Sequence, residues 1–134
     1  MKKINSYIIE KLRISKDSKN DSIPYEFTKK GEKFSDEEKN KCVELSYSLP
    51  EQPISIEDGG KYKRINLVKL YYKNKNSIEI WKAPLGAFYI TVFSRKYNNI
   101  YNYPNEKQLI KINTIEEVFD HIKHYFRYHK NWYE

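Results

Sequence analysis

The stretch FYITVFSRK, residues 88–96, decides the fold more than any other part of this sequence. It is rich in β-branched and aromatic residues, which favour strands, and a turn signal at residues 84–86 comes directly before it. Apolar residues occupy both odd and even positions, so both faces of the strand are substantially apolar. We predict a β-strand in a sheet that helices cover on one face and that is partly covered on the other.

Two similar runs, at residues 65–73 and 78–82, precede this strand. The four residues between them have turn composition, so we predict a hairpin that places Leu70 opposite Trp81 and Tyr71 opposite Ile80. A short strand near residues 100–103 and a possible edge strand at 109–112 would follow. These runs indicate an antiparallel sheet of three to four strands.

Two capping boxes predict where the main helices begin. Ser35 is followed by Glu38, and Thr114 by Glu117, which is the spacing at which side chains cap a helix N-terminus. The first helix should cover residues 36–48, and the second residues 115–128, where an apolar stripe faces the sheet. The expected fold class is α+β, with two helices packed on the sheet in a single domain at residues 35–134.

Residues 1–14 read as an N-terminal amphipathic helix. Its apolar positions recur about every four residues: Ile4, Tyr7, Ile8 and Leu12. Residues 15–34 are a polar linker or long loop that could be pinned by the apolar residues of IPYEF at positions 23–27. The helix either folds back on the sheet or serves as a docking segment for a partner.

The charge of +7 is unevenly distributed along the chain. Residues 61–134 carry 14 Lys and Arg against 6 Asp and Glu, whereas residues 1–60 are nearly neutral. A basic half attracts polyanions, so nucleic acid or an acidic protein surface is the expected partner. The competing explanation is an AT-rich genome, because Lys, Asn, Ile and Tyr make up 62 of the 134 residues.

Cations next to aromatic residues give the clearest chemical signal. Phosphates need positive charge and any base can stack on a ring, so this combination is typical of single-stranded nucleic-acid binding. The predicted binding residues are Arg95, Lys96, Tyr97, Tyr101, Tyr103, Lys123, Arg127, Tyr128, Lys130 and Trp132.

Catalytic and metal-binding alternatives are weaker. The single cysteine, Cys42, excludes an internal disulfide. It could act as a nucleophile, but its helical position favours core packing. Glu117, His121 and His124 have a metal-ligand spacing, but a solvated polar face is the better interpretation of these residues. We therefore expect no catalytic residue, no metal and no cofactor.

Two resemblances bear on function. The order helix, three strands, helix over residues 36–128 is similar to a double-stranded RNA-binding domain, but acidic residues at 116–117 replace that family's Lys-rich motif, so the activity is not carried over. The first ten residues, with Met1-Lys2 and Ile8-Ile9-Glu10, resemble the capsid-targeting segment of internal head proteins of tailed phages.

These observations support two functional hypotheses. The first is a non-enzymatic accessory protein of phage or mobile-element type that binds nucleic acid, or a host protein that handles it, through the C-terminal half. The second is a structural or packaged virion component recruited through residues 1–14. The longest uncharged apolar run, residues 83–94, is about half of the roughly 20 residues that span a membrane. We expect a location in the cytoplasm of a bacterial host, or in the virion under the second hypothesis.

Overall fold

The structure is a computed structural model that describes residues 31–60, 63–95, 99–104 and 110–129. These residues form a five-stranded antiparallel sheet, in the order β1-β2-β3-β4-β5, and two α-helices. The elements are α1 (Asp36–Ser46), β1 (Ser55–Asp58), β2 (Leu67–Tyr71), β3 (Ser77–Lys82), β4 (Phe88–Ser94), β5 (Asn99–Tyr103) and α2 (Ile115–Tyr128). The α+β class with an antiparallel sheet and two helices is confirmed. The strand count is five instead of the expected three to four.

Both predicted capping boxes form. The Ser35 hydroxyl accepts a hydrogen bond from the Glu38 N–H at 3.1 Å, and the Glu38 carboxylate accepts one from the Ser35 N–H at 2.8 Å. Thr114 and Glu117 make the same two bonds at the start of α2, each 3.1 Å long. These bonds satisfy backbone donors that have no partner inside a helix. Both helices therefore begin where the sequence predicted, although α1 ends at Ser46 and not at residue 48.

One face of the sheet packs against both helices, and we call it the inner face. Side chains alternate along β4 between buried and half-buried, as a strand with one fully covered face requires. The strand residues of the inner face that are 0% exposed are Leu70, Ile78, Ile80 and Ile90. Phe119 and Ile122 of α2 pack against them, and each such side chain contributes roughly 1.5–3 kcal/mol by leaving water.

The hairpin between β2 and β3 forms, but its predicted register is wrong. Leu70 lies opposite Ile78, and Trp81 lies opposite Leu67, so the strands are shifted by three residues. β2 ends two residues earlier than expected because residues 73–75 form a 3-10 turn in which Asn74 has a φ of 59°. An odd shift exchanges the faces of the sheet. Trp81 therefore lies on the face opposite the helices.

The sequence did not predict β1, and it predicted β5 only as a short strand near residues 100–103. β1 lies between the predicted first helix and the run at residues 65–73, where no strand was predicted, and Ile56 pairs with Leu70 in β2. β5 extends over Asn99–Tyr103, where only a short strand was expected. Of the possible edge strand at 109–112, Ile112 makes an isolated bridge to Phe88. Five strands also depart from the three-strand order on which the resemblance to a double-stranded RNA-binding domain rested.

The predictions for residues 1–14, including Ile4, Tyr7, Ile8 and Leu12, lie outside the described residues, as does most of the predicted linker. Neither described helix combines the length and the apolar composition that crossing a membrane requires.

Candidate macromolecule-binding surface

The flank of α2 that faces β5 carries a group of aromatic and histidine rings. His121, His124 and Tyr128 are spaced three and four residues apart, so they lie along one side of the helix. β5 brings Tyr101 and Tyr103 to the same side, because alternate residues of a strand point to one face. We use the name tyrosine–histidine cluster for seven residues: Tyr101, Tyr103, His121, His124, Tyr125, Tyr128 and His129.

His121 is the centre of this cluster. Its ring stacks on Tyr103 with the two ring centres 3.5 Å apart and the planes 4° from parallel. Its Nε2 atom lies 2.9 Å from the hydroxyl of Tyr101, which is hydrogen-bonding distance. The Tyr101 ring is in turn 4.9 Å from the ring of Tyr125. The half-buried His121 side chain is therefore fixed from two directions by β5.

The environment of His121 disfavours its charged form. The pKa of His121 is lowered to about 4, chiefly by burial and to a lesser extent by charge repulsion from the neighbouring His124. At neutral pH the imidazole is uncharged. It therefore contributes a flat aromatic surface to the cluster and adds no positive charge.

The rings continue towards the C-terminal end of α2 and become more exposed. The His124 and Tyr128 ring centres are 4.5 Å apart, and those of Tyr125 and His129 are 4.3 Å apart. Tyr128 is 67% exposed, whereas Tyr125 is only 6% exposed. The cluster thus runs from a packed core at β5 to an exposed ring on α2.

The predicted basic residues of α2 lie beside the cluster and not within it. Lys123 and Arg127 are four residues apart, and they lie on the same side of α2 as Glu116. Glu116 faces α1, since its carboxylate lies 3.3 Å from the Lys41 ammonium. Arg127 is exposed and Lys123 is half-buried. Consecutive helix residues point about 100° apart, so Lys123 and Arg127 lie on the flank of α2 next to the one that carries His124 and Tyr128.

Arg95 lies at the same end of the sheet as the last turns of α2. Its N–H donates to the side-chain oxygen of Asn76 at 2.7 Å. The Tyr72 N–H donates to the Asn76 carbonyl at 2.9 Å, and the Tyr72 ring lies 6.0 Å from that of Phe126 in α2. The exposed side chain of Arg95 is therefore on the side of the domain where Arg127 and Tyr128 lie.

The predicted binding residues thus divide into three groups. Tyr101, Tyr103 and Tyr128 belong to the cluster, and Arg95, Lys123 and Arg127 lie around it. Four predicted residues are outside the described part of the chain: Lys96, Tyr97, Lys130 and Trp132. Sequence reasoning missed His121 and His124 as members of an aromatic surface, although their helical spacing already placed them on one flank.

The alternative chemistries find little support in the geometry. Among the described residues, no three His, Cys, Asp or Glu side chains come together as a metal site. The Glu117 carboxylate is engaged by the backbone N–H groups of Asn113 and Thr114. Cys42 is fully buried, and burial raises the pKa of its thiol to about 12, with the Glu38 charge as a lesser cause. Very little nucleophilic thiolate is present at neutral pH.

The comparisons with known proteins assign no family. The chain matches no protein-family model, and neither the curated proteins nor the solved structures include one that it resembles significantly.

Proposed function

We propose that this chain is a non-enzymatic protein that binds single-stranded nucleic acid through the tyrosine–histidine cluster and the cations around it. The observation that carries the proposal is the continuous series of rings from Tyr103 to the exposed Tyr128. An aromatic face accepts any unpaired base, and each stacked base contributes about 1–3 kcal/mol. Duplex DNA hides its base faces, so a single strand is the form of nucleic acid that these rings favour.

The distribution of charge along α2 supports this position for the ligand. The acidic Glu116, Glu117 and Asp120 lie in the first half of the helix, whereas Lys123 and Arg127 lie in the second half. Arg95 adds a third cation at the same end. A phosphate backbone that passes the C-terminal turns of α2 would meet cations on one side and the rings of the cluster on the other.

With one phosphate contact each from Arg95, Lys123 and Arg127, the binding affinity should depend measurably on salt concentration. Each neutralised phosphate of a single strand contributes about −0.7 to the slope of log affinity against log salt, so the expected slope is about −2. The same relation predicts that affinity falls roughly 20-fold between about 50 and 200 mM salt.

The test is fluorescence anisotropy with a labelled single-stranded oligonucleotide of about 15 nucleotides, titrated with the full chain and with Tyr128→Ala. Loss of one stacked base predicts a 5- to 150-fold weaker affinity, by about 1–3 kcal/mol. Tyr47→Ala is the matched control because Tyr47, just after α1, is 66% exposed and lies outside the cluster. Its affinity should equal that of the unmodified chain.

Two results would overturn the proposal. One is the absence of binding at the lower salt concentration. The other is equal competition by inorganic polyphosphate, which has charge but no bases, together with an unchanged affinity of Tyr128→Ala. That second result would favour an acidic protein surface as the partner of the basic half.

A further inference from the structure

The sheet has a second face, opposite the helices, which we call the outer face. Leu67 and Trp81 lie opposite each other on it, and the half-buried Tyr89 packs against them. Neither α1 nor α2 covers this face. Leu67 and Trp81 are only 5% and 8% exposed, and of the described residues Gly60 lies beside Leu67 and the Arg64 guanidinium lies 5.8 Å from the centre of the Trp81 ring. Phe93 lies four residues beyond Tyr89 in β4, on the same face.

The polar groups of the outer face bond mainly to one another. The Lys69 ammonium lies 3.3 Å from the Glu79 carboxylate, which also accepts a hydrogen bond from the Trp81 indole N–H at 3.2 Å. The Tyr71 hydroxyl donates to the Glu57 carboxylate at 2.7 Å. These contacts pair charges of opposite sign within the face. A surface of paired charges and aromatic rings suits a peptide segment with apolar and aromatic side chains better than it suits a polyanion.

The chain enters the described structure beside this face. A side chain at position 31 would collide with the carbonyl oxygen of Lys82 and the amide group of Asn66, so Gly31 lies directly against these two residues. Lys82 and Asn66 are each one residue from the pair formed by Trp81 and Leu67. Glu32 is held nearby, since its carboxylate accepts a hydrogen bond from the Leu85 N–H at 3.2 Å.

The sequence before Gly31 matches the outer face in length and in chemistry. In IPYEF, residues 23–27, Ile23, Tyr25 and Phe27 alternate with other residues, so an extended chain would place all three on one side. Ile23 and Phe27 are four residues apart, which an extended chain spans in about 13 Å, and the same length of chain joins Phe27 to Gly31. The distance from Tyr89 to Phe93 along β4 is also about 13 Å. The segment can therefore reach from the Trp81 end of the face to the Phe93 end.

We propose that residues 23–27 dock on the outer face of the same chain, with Phe27 near Tyr89 and Ile23 and Tyr25 further along β4. The domain would then include this segment, and residues 1–14 would not be needed to cover the sheet. This inference is independent of the proposed nucleic-acid binding, which uses the other side of the sheet.

The fluorescence of Trp81 reports whether residues 23–27 cover the outer face. In a full chain with Trp132→Phe, Trp81 is the only tryptophan, and acrylamide quenching measures its exposure. Changing Tyr25 and Phe27 to Ser should raise the quenching constant several-fold and shift the emission to longer wavelength. The milder Phe27→Leu should give a smaller rise, and far-UV circular dichroism should show unchanged helix and sheet for both variants.

The matched control changes Ile4 and Ile8 to Ser, which removes two apolar side chains from the N-terminal segment instead. Unchanged quenching in this control supports residues 23–27 as the cover. Three results would overturn the proposal: unchanged quenching in the Tyr25 and Phe27 variant, increased quenching only in the control, or Trp81 emission that depends on protein concentration. The last two would identify the N-terminal helix and a second copy of the chain, respectively, as the cover.

Discussion

The two faces of the sheet use apolar residues in different ways. On the inner face, aliphatic side chains such as Ile78, Ile80 and Ile90 are completely buried under two helices. On the outer face, Trp81 and Tyr71 each bond to a carboxylate, and most other side chains are half-buried. The comparison shows that the inner face supplies the hydrophobic stability of the domain, whereas the outer face combines apolar contact with polar positioning.

The largest difference in stability between the two faces should appear when one aromatic ring is removed from each face. Phe119 of α2 is 1% exposed and packs on the inner face, so Phe119→Ala should lower the free energy of unfolding by about 3–5 kcal/mol. Phe93→Ala, on the half-buried outer face, should cost about 1–2 kcal/mol. Urea unfolding monitored by circular dichroism measures both. Equal losses would contradict the division of roles between the two faces.

The free energy of unfolding should also depend on pH through His121, which packs at the margin of the inner face. The folded His121 has a pKa of about 4 against an ordinary value of 6.5, so the unfolded chain binds more protons between these values. Stability is therefore complete above about pH 6.5 and falls as the pH is lowered towards 4. Because the ring is half-exposed, solvent screening reduces the loss between about pH 7 and pH 5 to about 1 kcal/mol.

This pH effect can be isolated by substitution. His121→Gln should remove about 1 kcal/mol of the loss between about pH 7 and pH 5 in urea unfolding, because Gln does not titrate. Tyr47→Ala, outside the cluster, should show the same pH dependence as the unmodified chain. If His121→Gln loses as much stability as the unmodified chain, the imidazole is not the titrating group.

The smallest effect is expected from the polar network of the outer face. Glu79→Ala removes the carboxylate that bonds to the Trp81 indole and to Lys69, and it should cost about 1 kcal/mol in urea unfolding. Glu44→Ala, which removes an exposed carboxylate from α1, is the control and should change stability by less than about 0.5 kcal/mol. A loss as large as that of Phe119→Ala would show that the outer face is a second core.

Much of the fold followed from local patterns in the sequence. A capping box joins residues three positions apart, so Ser35 and Thr114 marked both helix starts without knowledge of the rest of the chain. The apolar stripe of α2 likewise predicted which of its side chains are buried, because the period of a helix is fixed by backbone geometry. The segment before β2 carried no comparable pattern, and β1 went unrecognised because its four residues are held mainly by pairing with β2.

Two features depended on contacts between distant residues. The register of β2 and β3 was decided by the 3-10 turn at residues 73–75 and by burial of Ile78 opposite Leu70, which local propensity does not encode. The tyrosine–histidine cluster was decided by the pairing of β5 with β4, which carries Tyr103 to His121. The sequence by itself determined where both helices begin, the strands other than β1, and the basic charge of the C-terminal half. Only the tertiary structure decided which rings meet. Tyr103 and His121 are 18 residues apart in the sequence, and the sheet brings their ring centres to 3.5 Å from each other.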